Sequence, residues 1–227
     1  MIYIVLGDDT VRSRQEYLRL KKEYEDKDYE IHQLTLDSLN NLHNWLGESQ
    51  DLFHSKKVFF GEQLLSKKEN REKLKEYDTR DGDIDIVIWE EKMEERVAQF
   101  LFTNAKLIVQ KLPVSIFKLL DSLYPSNLKQ VNGYLTELGK SIDENILFFM
   151  IAKRIRELIL IKYNVTSSKK AAAWQIERLR SQANNWDESK LLKFYDSLHR
   201  IDVQNKTSKN YYSLKDALDI LFCYYVR

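Results

Sequence analysis

Ile84-Asp85-Ile86-Val87-Ile88-Trp89 decides the fold. Five of its six residues are apolar, and three are β-branched isoleucines. A strand that faces solvent on one side alternates polar with apolar residues, whereas a strand covered on both faces is apolar almost throughout, as in a parallel sheet. Similar short runs lie on either side, at Ile2–Leu6, Glu30–Leu34, Val58–Gly61 and Lys106–Gln110. Amphipathic stretches separate them, at Val11–Glu25, Leu36–Leu46, Gln63–Tyr77 and Lys92–Asn104, and these read as helices. Strand–helix alternation of this kind predicts a three-layer α/β domain with right-handed crossovers over residues 1–112.

The strand signal stops at Pro113, which suits a helix start. From there the pattern predicts helices over Val114–Leu123, Asn127–Leu138, Glu144–Tyr163, Lys169–Ala183, Glu188–Val203 and Leu214–Val226. Ser126, Asp143, Asp187 and Ser213 are expected to cap four of them. Glu144–Tyr163 is apolar nearly all round, as befits the central helix of a bundle. The expected architecture is an α/β domain at 1–112 followed by an all-α domain at 113–227.

The 227 residues are 43% hydrophobic and 31% charged, a balance ordinary for a soluble globular protein and one that argues against disorder. One cysteine, Cys223, excludes an internal disulfide and a cysteine-rich metal site. Its apolar surroundings predict a buried structural thiol. No run is long enough to span a membrane, and the opening Met1-Ile2-Tyr3-Ile4-Val5-Leu6 carries no basic leader, so a cytoplasmic location is expected. Residues 1–112 hold 18 Lys and Arg against 23 Asp and Glu, a net of −5, and residues 113–227 hold 18 against 12, a net of +6. A basic half suits nucleic acid or an acidic partner, and equally a well-solvated helical surface.

The first strand ends in Leu6-Gly7-Asp8-Asp9-Thr10-Val11-Arg12, where a nucleotide-binding domain places its phosphate loop. A phosphate cradle needs several glycines, a lysine and a hydroxyl for Mg²⁺. One glycine and two carboxylates stand there instead, so neither ATP hydrolysis nor any bound cofactor is expected. Glu90-Glu91 follow the fourth strand where a motor ATPase keeps its metal-binding acids, but without phosphate they have nothing to complete. Asp83 and Asp85 read as solvated loop carboxylates in preference to metal ligands. His32, His43, His54 and His199 lack metal-ligand spacing. The chain is not expected to be an enzyme.

Two features suggest binding. In Gln50-Asp51-Leu52-Phe53-His54-Ser55-Lys56-Lys57, Leu52 and Phe53 interrupt a polar loop. They either fold back over the sheet edge or form an exposed two-residue plug. Burying each in a partner is worth roughly 1.5–3 kcal/mol, and the pair about two to four decades of affinity. In the helical half, Lys153, Arg154 and Arg156, followed by Lys169 and Lys170, are candidate nucleic-acid contacts. Tyr163 and Trp174 are interleaved among them. Bundle core is their expected place, and base stacking the alternative.

The ordered set of these segments resembles the delta subunit of bacterial DNA polymerase III. Tyr3-Ile4-Val5-Leu6-Gly7-Asp8-Asp9 is similar to the strand end that replaces a working phosphate loop in that family. Gln50-Asp51-Leu52-Phe53 before Lys56-Lys57-Val58 is similar to its Ser-Leu-Phe element, with Asp51 departing from the usual small residue. Ser115-Ile116-Phe117-Lys118-Leu119-Leu120-Asp121-Ser122-Leu123 and Ser213-Leu214-Lys215-Asp216-Ala217-Leu218 resemble helices of its collar domain. The resemblance implies a RecA/AAA+-like parallel-sheet domain without a phosphate loop and a collar-like helical bundle. It further implies a clamp-loader subunit whose Leu52 and Phe53, with Gln50 as a polar contact, plug a pocket on the β sliding clamp. The implied partners are gamma/tau-like ATPase subunits, a delta-prime-like subunit and primer–template DNA, with no membrane. The family's small lid domain has no room between Gln110 and Pro113. The alternative is a nucleic-acid-binding accessory protein that uses the basic helical half.

Overall fold

The structure is a computed structural model that describes residues 1–35, 38–41, 56–78, 84–139, 141–165, 172–208 and 212–227. The chain divides into two compact units, Met1–Leu112 and Pro113–Arg227.

The first unit contains β1 (Ile2–Leu6), α1 (Thr10–Glu25), β2 (Glu30–Leu34), β3 (Lys57–Glu62), α2 (Lys68–Asp78), β4 (Asp85–Glu90), α3 (Glu95–Leu101) and β5 (Lys106–Val109). The strands form one sheet in the order β2-β3-β4-β1-β5. Every pairing is parallel, with Ile4 opposite Ile88 on one side and Leu107 on the other. This is the parallel α/β architecture the sequence predicts. The deciding stretch becomes β4, at the centre of the sheet, with Val87 and Ile88 wholly buried.

Handedness then places the helices. The β1–β2 crossover runs along the sheet one way, and the later crossovers return the other way, so right-handed connections put α1 on one face and α2 and α3 on the opposite face. Successive side chains of a strand point to opposite faces, and the core splits accordingly. Val5, Val58, Phe60, Val87 and Trp89 pack with Tyr17, Leu20 and Tyr24 of α1. Ile2, Ile4, Leu6, Phe59, Ile86 and Ile88 pack with Leu74 of α2 and Ala98 of α3. At the amino end of the sheet the Tyr24 hydroxyl donates to Asp85 (2.7 Å). That carboxylate, read from the sequence as solvated, is an acceptor in a half-buried hydrogen bond.

The stretch read as one helix from Gln63 to Tyr77 is two pieces, a 3-10 turn at Leu64–Ser66 and then α2. Gln63 takes a left-handed φ of 53°, and its N–H bonds to the Trp89 carbonyl (2.8 Å). The chain is thereby turned so that Leu64 and Leu65 enter the core.

The second unit contains α4 (Val114–Ser122), α5 (Leu128–Leu138), α6 (Glu144–Lys162), α7 (Ala173–Asn184), α8 (Glu188–Lys206) and α9 (Leu214–Tyr225). Asp143, Asp187 and Ser213 cap α6, α8 and α9 as expected, each accepting from a first-turn backbone N–H. Ser126 does not cap α5. It stands at a φ of 68°, and the residue at the cap is Asn127, whose amide donates to the Ser122 carbonyl (2.8 Å). The central helix α6 touches α4, α7, α8 and α9. Cys223 is exposed, against expectation. The buried arc of α9 is Leu214, Ala217, Leu218, Leu221, Phe222 and Tyr225, and residue 223 falls on the other side of the helix. Among the described residues, no helix is long and apolar enough to cross a membrane.

Candidate functional site

The topology names the place to look. β1 and β4 are neighbours, and their connections leave toward opposite faces. Open α/β sheets take ligands in the crevice outside the carboxyl ends of such strands. Here that crevice is bounded by Gly7-Asp8-Asp9 after β1, Glu90 at the end of β4 and Gln110 after β5.

The chain fills it with itself. The Asp9 N–H bonds to the Gln110 carbonyl (3.1 Å), and the Gln110 N–H bonds to the Leu6 carbonyl (2.8 Å). Gly7 has a φ of 144°, and a Cβ there would lie 2.0 Å from the Gln110 oxygen. The loop therefore lies directly on the strand exit, an approach only glycine permits. The Asp9 side chain is fully buried, and its Oδ1 accepts from the backbone N–H of Arg12 (3.0 Å). The Arg12 guanidinium adds a 3.6 Å contact to Oδ2. A helix N-terminus attracts one anion through its free N–H groups and its dipole. At α1 a carboxylate of the same chain holds that position.

Beside it, Glu90 is buried, and its Oε1 accepts from the Leu65 N–H (2.5 Å). Burial pushes its carboxyl above the ordinary range, opposed by this hydrogen bond and by Arg71. The acid at the metal-binding place of a motor ATPase thus braces the turn after β3. Arg14 forms a two-pronged pair with Glu62 (3.0 and 3.2 Å) and lies 4.8 Å over the Trp89 ring. The indole N–H of Trp89 donates to Ser13 Oγ (3.0 Å). These contacts tie α1 to the carboxyl ends of β3 and β4.

Gln50, Leu52 and Phe53 lie outside the described residues, as do Lys169 and Lys170. The remaining candidates separate. Arg154 is directed inward, its Nη1 donating to Asp121 of α4 and to Gln182 of α7 (3.0 Å each). Asp121 also pairs with Arg178. The Gln182 amide donates to the carbonyls of Leu120 (2.7 Å) and Leu123 (2.9 Å), and the Trp186 indole to Leu123 (3.0 Å). Arg154 is thus part of a clamp on the end of α4. Lys153 and Arg156, on the same helix, are exposed.

The two aromatics expected in the bundle core are at the surface. Trp174 is 64% exposed and Tyr163 is 47% exposed, with its hydroxyl bonded to Glu188. Trp174 lies in the first turn of α7, ahead of the first residues of that helix to be buried, Gln182 and Ala183. Reading the sequence missed Gln110, which carries no local signal because its role is purely backbone. It also missed Phe149, 65% exposed on α6, whose spacing to Lys153 and Arg156 was legible but was absorbed into the apolar count of a central helix.

No protein-family profile matches the chain. No curated protein matches it either. Among solved structures it is similar to a DNA polymerase III, gamma subunit-related protein from Thermotoga maritima, at 14% identity and a TM-score of 0.39, over 99% of this chain and 93% of that one. A superposition that loose leaves both fold and function to be argued from the chain's own residues.

Proposed function

We propose that this chain is a non-hydrolysing subunit of a sliding-clamp loader, of the delta kind. The observation that carries the reading is the self-filled crevice: Asp9 seated at the α1 N-terminus, with its loop tied to Gln110. An AAA+-like sheet that keeps its architecture but gives the phosphate position to its own carboxylate retains the scaffold for another use. Presenting a binding loop is such a use. The ordered resemblance of both units to the delta family supplies the specific reading.

In this mechanism the first unit presents Leu52 and Phe53 to a pocket on the clamp. The pair shifts the ring toward its open form only by binding that form better. The helical unit docks to gamma/tau-like ATPase subunits and a delta-prime-like subunit, which supply hydrolysis, around primer–template DNA. Replacing Leu52 and Phe53 together with alanine should weaken clamp binding by roughly two decades or more, measured by surface plasmon resonance on an immobilised β clamp. Unchanged affinity in a folded double variant would remove the proposed plug.

A second reading, a nucleic-acid-binding accessory protein, gains support from the surface positions of Trp174 and Tyr163.

A further inference from the structure

We infer that one face of α6 is a binding track for single-stranded nucleic acid, made by Phe149, Lys153, Arg156 and Tyr163. At about 100° per residue, these four positions and Leu160 fall within an arc of roughly 80° on the helix surface. The stripe is about 21 Å long, at 1.5 Å per residue. Its ends are aromatic and its middle is cationic. Phe149 and Tyr163 are exposed, and so are Lys153 and Arg156.

The charge environment separates this face from the rest of the helix. Arg154, between the two cations in sequence, points the other way into Asp121 and Gln182. Lys162 is directed at the carbonyls of Ala183 and Trp186. Glu157 stands by Arg154, 3.9 Å from its Nε. Lys153 and Arg156 form no ion pair within the described residues. The cations engaged within the bundle thus lie on one side of the helix, and the two on the outer face are left available to a ligand with its own anions.

Two features favour a nucleic-acid strand over an acidic protein segment. Apolar contact is offered by flat rings in place of aliphatic side chains, and base–aromatic stacking tolerates any sequence. The Tyr163 hydroxyl, held by Glu188, fixes one ring as a platform. Among the described residues, the only carboxylate that the hydrogen bonds place against the stripe is that same Glu188, at its far end. The inference deepens the nucleic-acid reading and does not depend on Leu52 and Phe53.

The test is fluorescence anisotropy of a labelled thymidine oligomer of about 15 nucleotides, within the site sizes such grooves cover, titrated with the full chain. The wild-type chain should bind, with affinity that falls as salt rises. K153Q/R156Q should bind more weakly at low salt. It should also flatten the slope of log K against log salt by about 1.4, two phosphate contacts at roughly 0.7 each. F149A should weaken binding roughly five- to hundred-fold with the salt slope kept. R178A, which removes an exposed arginine on α7, should change neither quantity.

Absence of binding by the wild-type chain at low salt would defeat the nucleic-acid reading itself. Binding that K153Q/R156Q and F149A leave unaltered, in variants folded by circular dichroism, would defeat only the α6 track. Equal displacement of the oligomer by polyglutamate would assign the face to an acidic protein and overturn the inference. L52A/F53A should leave the anisotropy unchanged, which keeps this outcome separate from the clamp experiment.

Discussion

Glu90 shows how a carboxylate at a strand end can act as an internal brace. Its carboxyl is buried against the turn after β3, where Oε1 accepts from the Leu65 N–H. Burial raises its proton affinity in the folded chain above that in the unfolded chain. A group of that kind contributes stability below its unfolded pKa, and the contribution is lost as pH rises through the folded value. Glu90→Gln keeps an oxygen for Leu65 but has no proton to lose. Urea unfolding midpoints measured from roughly pH 4 to pH 7, starting near the ordinary carboxylate value, should diverge. The variant should gain on the wild type as pH rises, whereas parallel curves would show that Glu90 ionises freely. The sequence placed this carboxylate at the end of β4 but could not show its partner, since a backbone N–H from another strand's exit leaves no trace in residue spacing.

At the scale of elements, the strands and caps were legible because each rests on local chemistry. Ile84–Trp89 is apolar at all but Asp85 because both its faces are covered, and Asp143, Asp187 and Ser213 mark helix starts because a short acceptor must meet free N–H groups. What escaped were the places where a distant group overrides a local pattern. Gln63 stands outside the helical run read from it, turned left-handed with its N–H on the Trp89 carbonyl. Arg154 looks like its neighbours Lys153 and Arg156 until Asp121 and Gln182 claim it. The clamp on the end of α4 gives this a measurable form. Gln182→Ala leaves the carbonyl of Leu120 without the amide donor and strips Arg154 of one acceptor. Each buried group left unpaired costs roughly 1–3 kcal/mol. Arg178→Ala removes a partner of Asp121 that is more than half exposed, and exposed pairs contribute about 0–1 kcal/mol. Urea unfolding should therefore rank Gln182→Ala well below Arg178→Ala, and equal losses would show that the clamp is not what holds α4.

On the scale of the whole molecule, the two units divide the labour between a sheet whose ligand crevice is closed and a bundle with an open cationic face. On the function proposed above, the chain has no nucleotide-driven change of its own, and any switching it joins is driven by a partner. The consequence is testable on the chain alone. A ligand that binds only the folded state stabilises it by RT ln(1 + [L]/Kd), about 2.7 kcal/mol when present at 100 times its Kd. An ATP site of micromolar affinity would therefore raise the thermal midpoint by several degrees in millimolar MgATP. Here the α1 N-terminus is already capped by Asp9, and Gly7 is pressed against Gln110. Admitting a phosphate would require breaking the Asp9–Gln110 hydrogen bond and placing a second anion beside a buried carboxylate. The midpoint in a thermal scan should be the same with and without MgATP, and a shift of several degrees would mean that the crevice opens and that the non-hydrolysing reading is wrong.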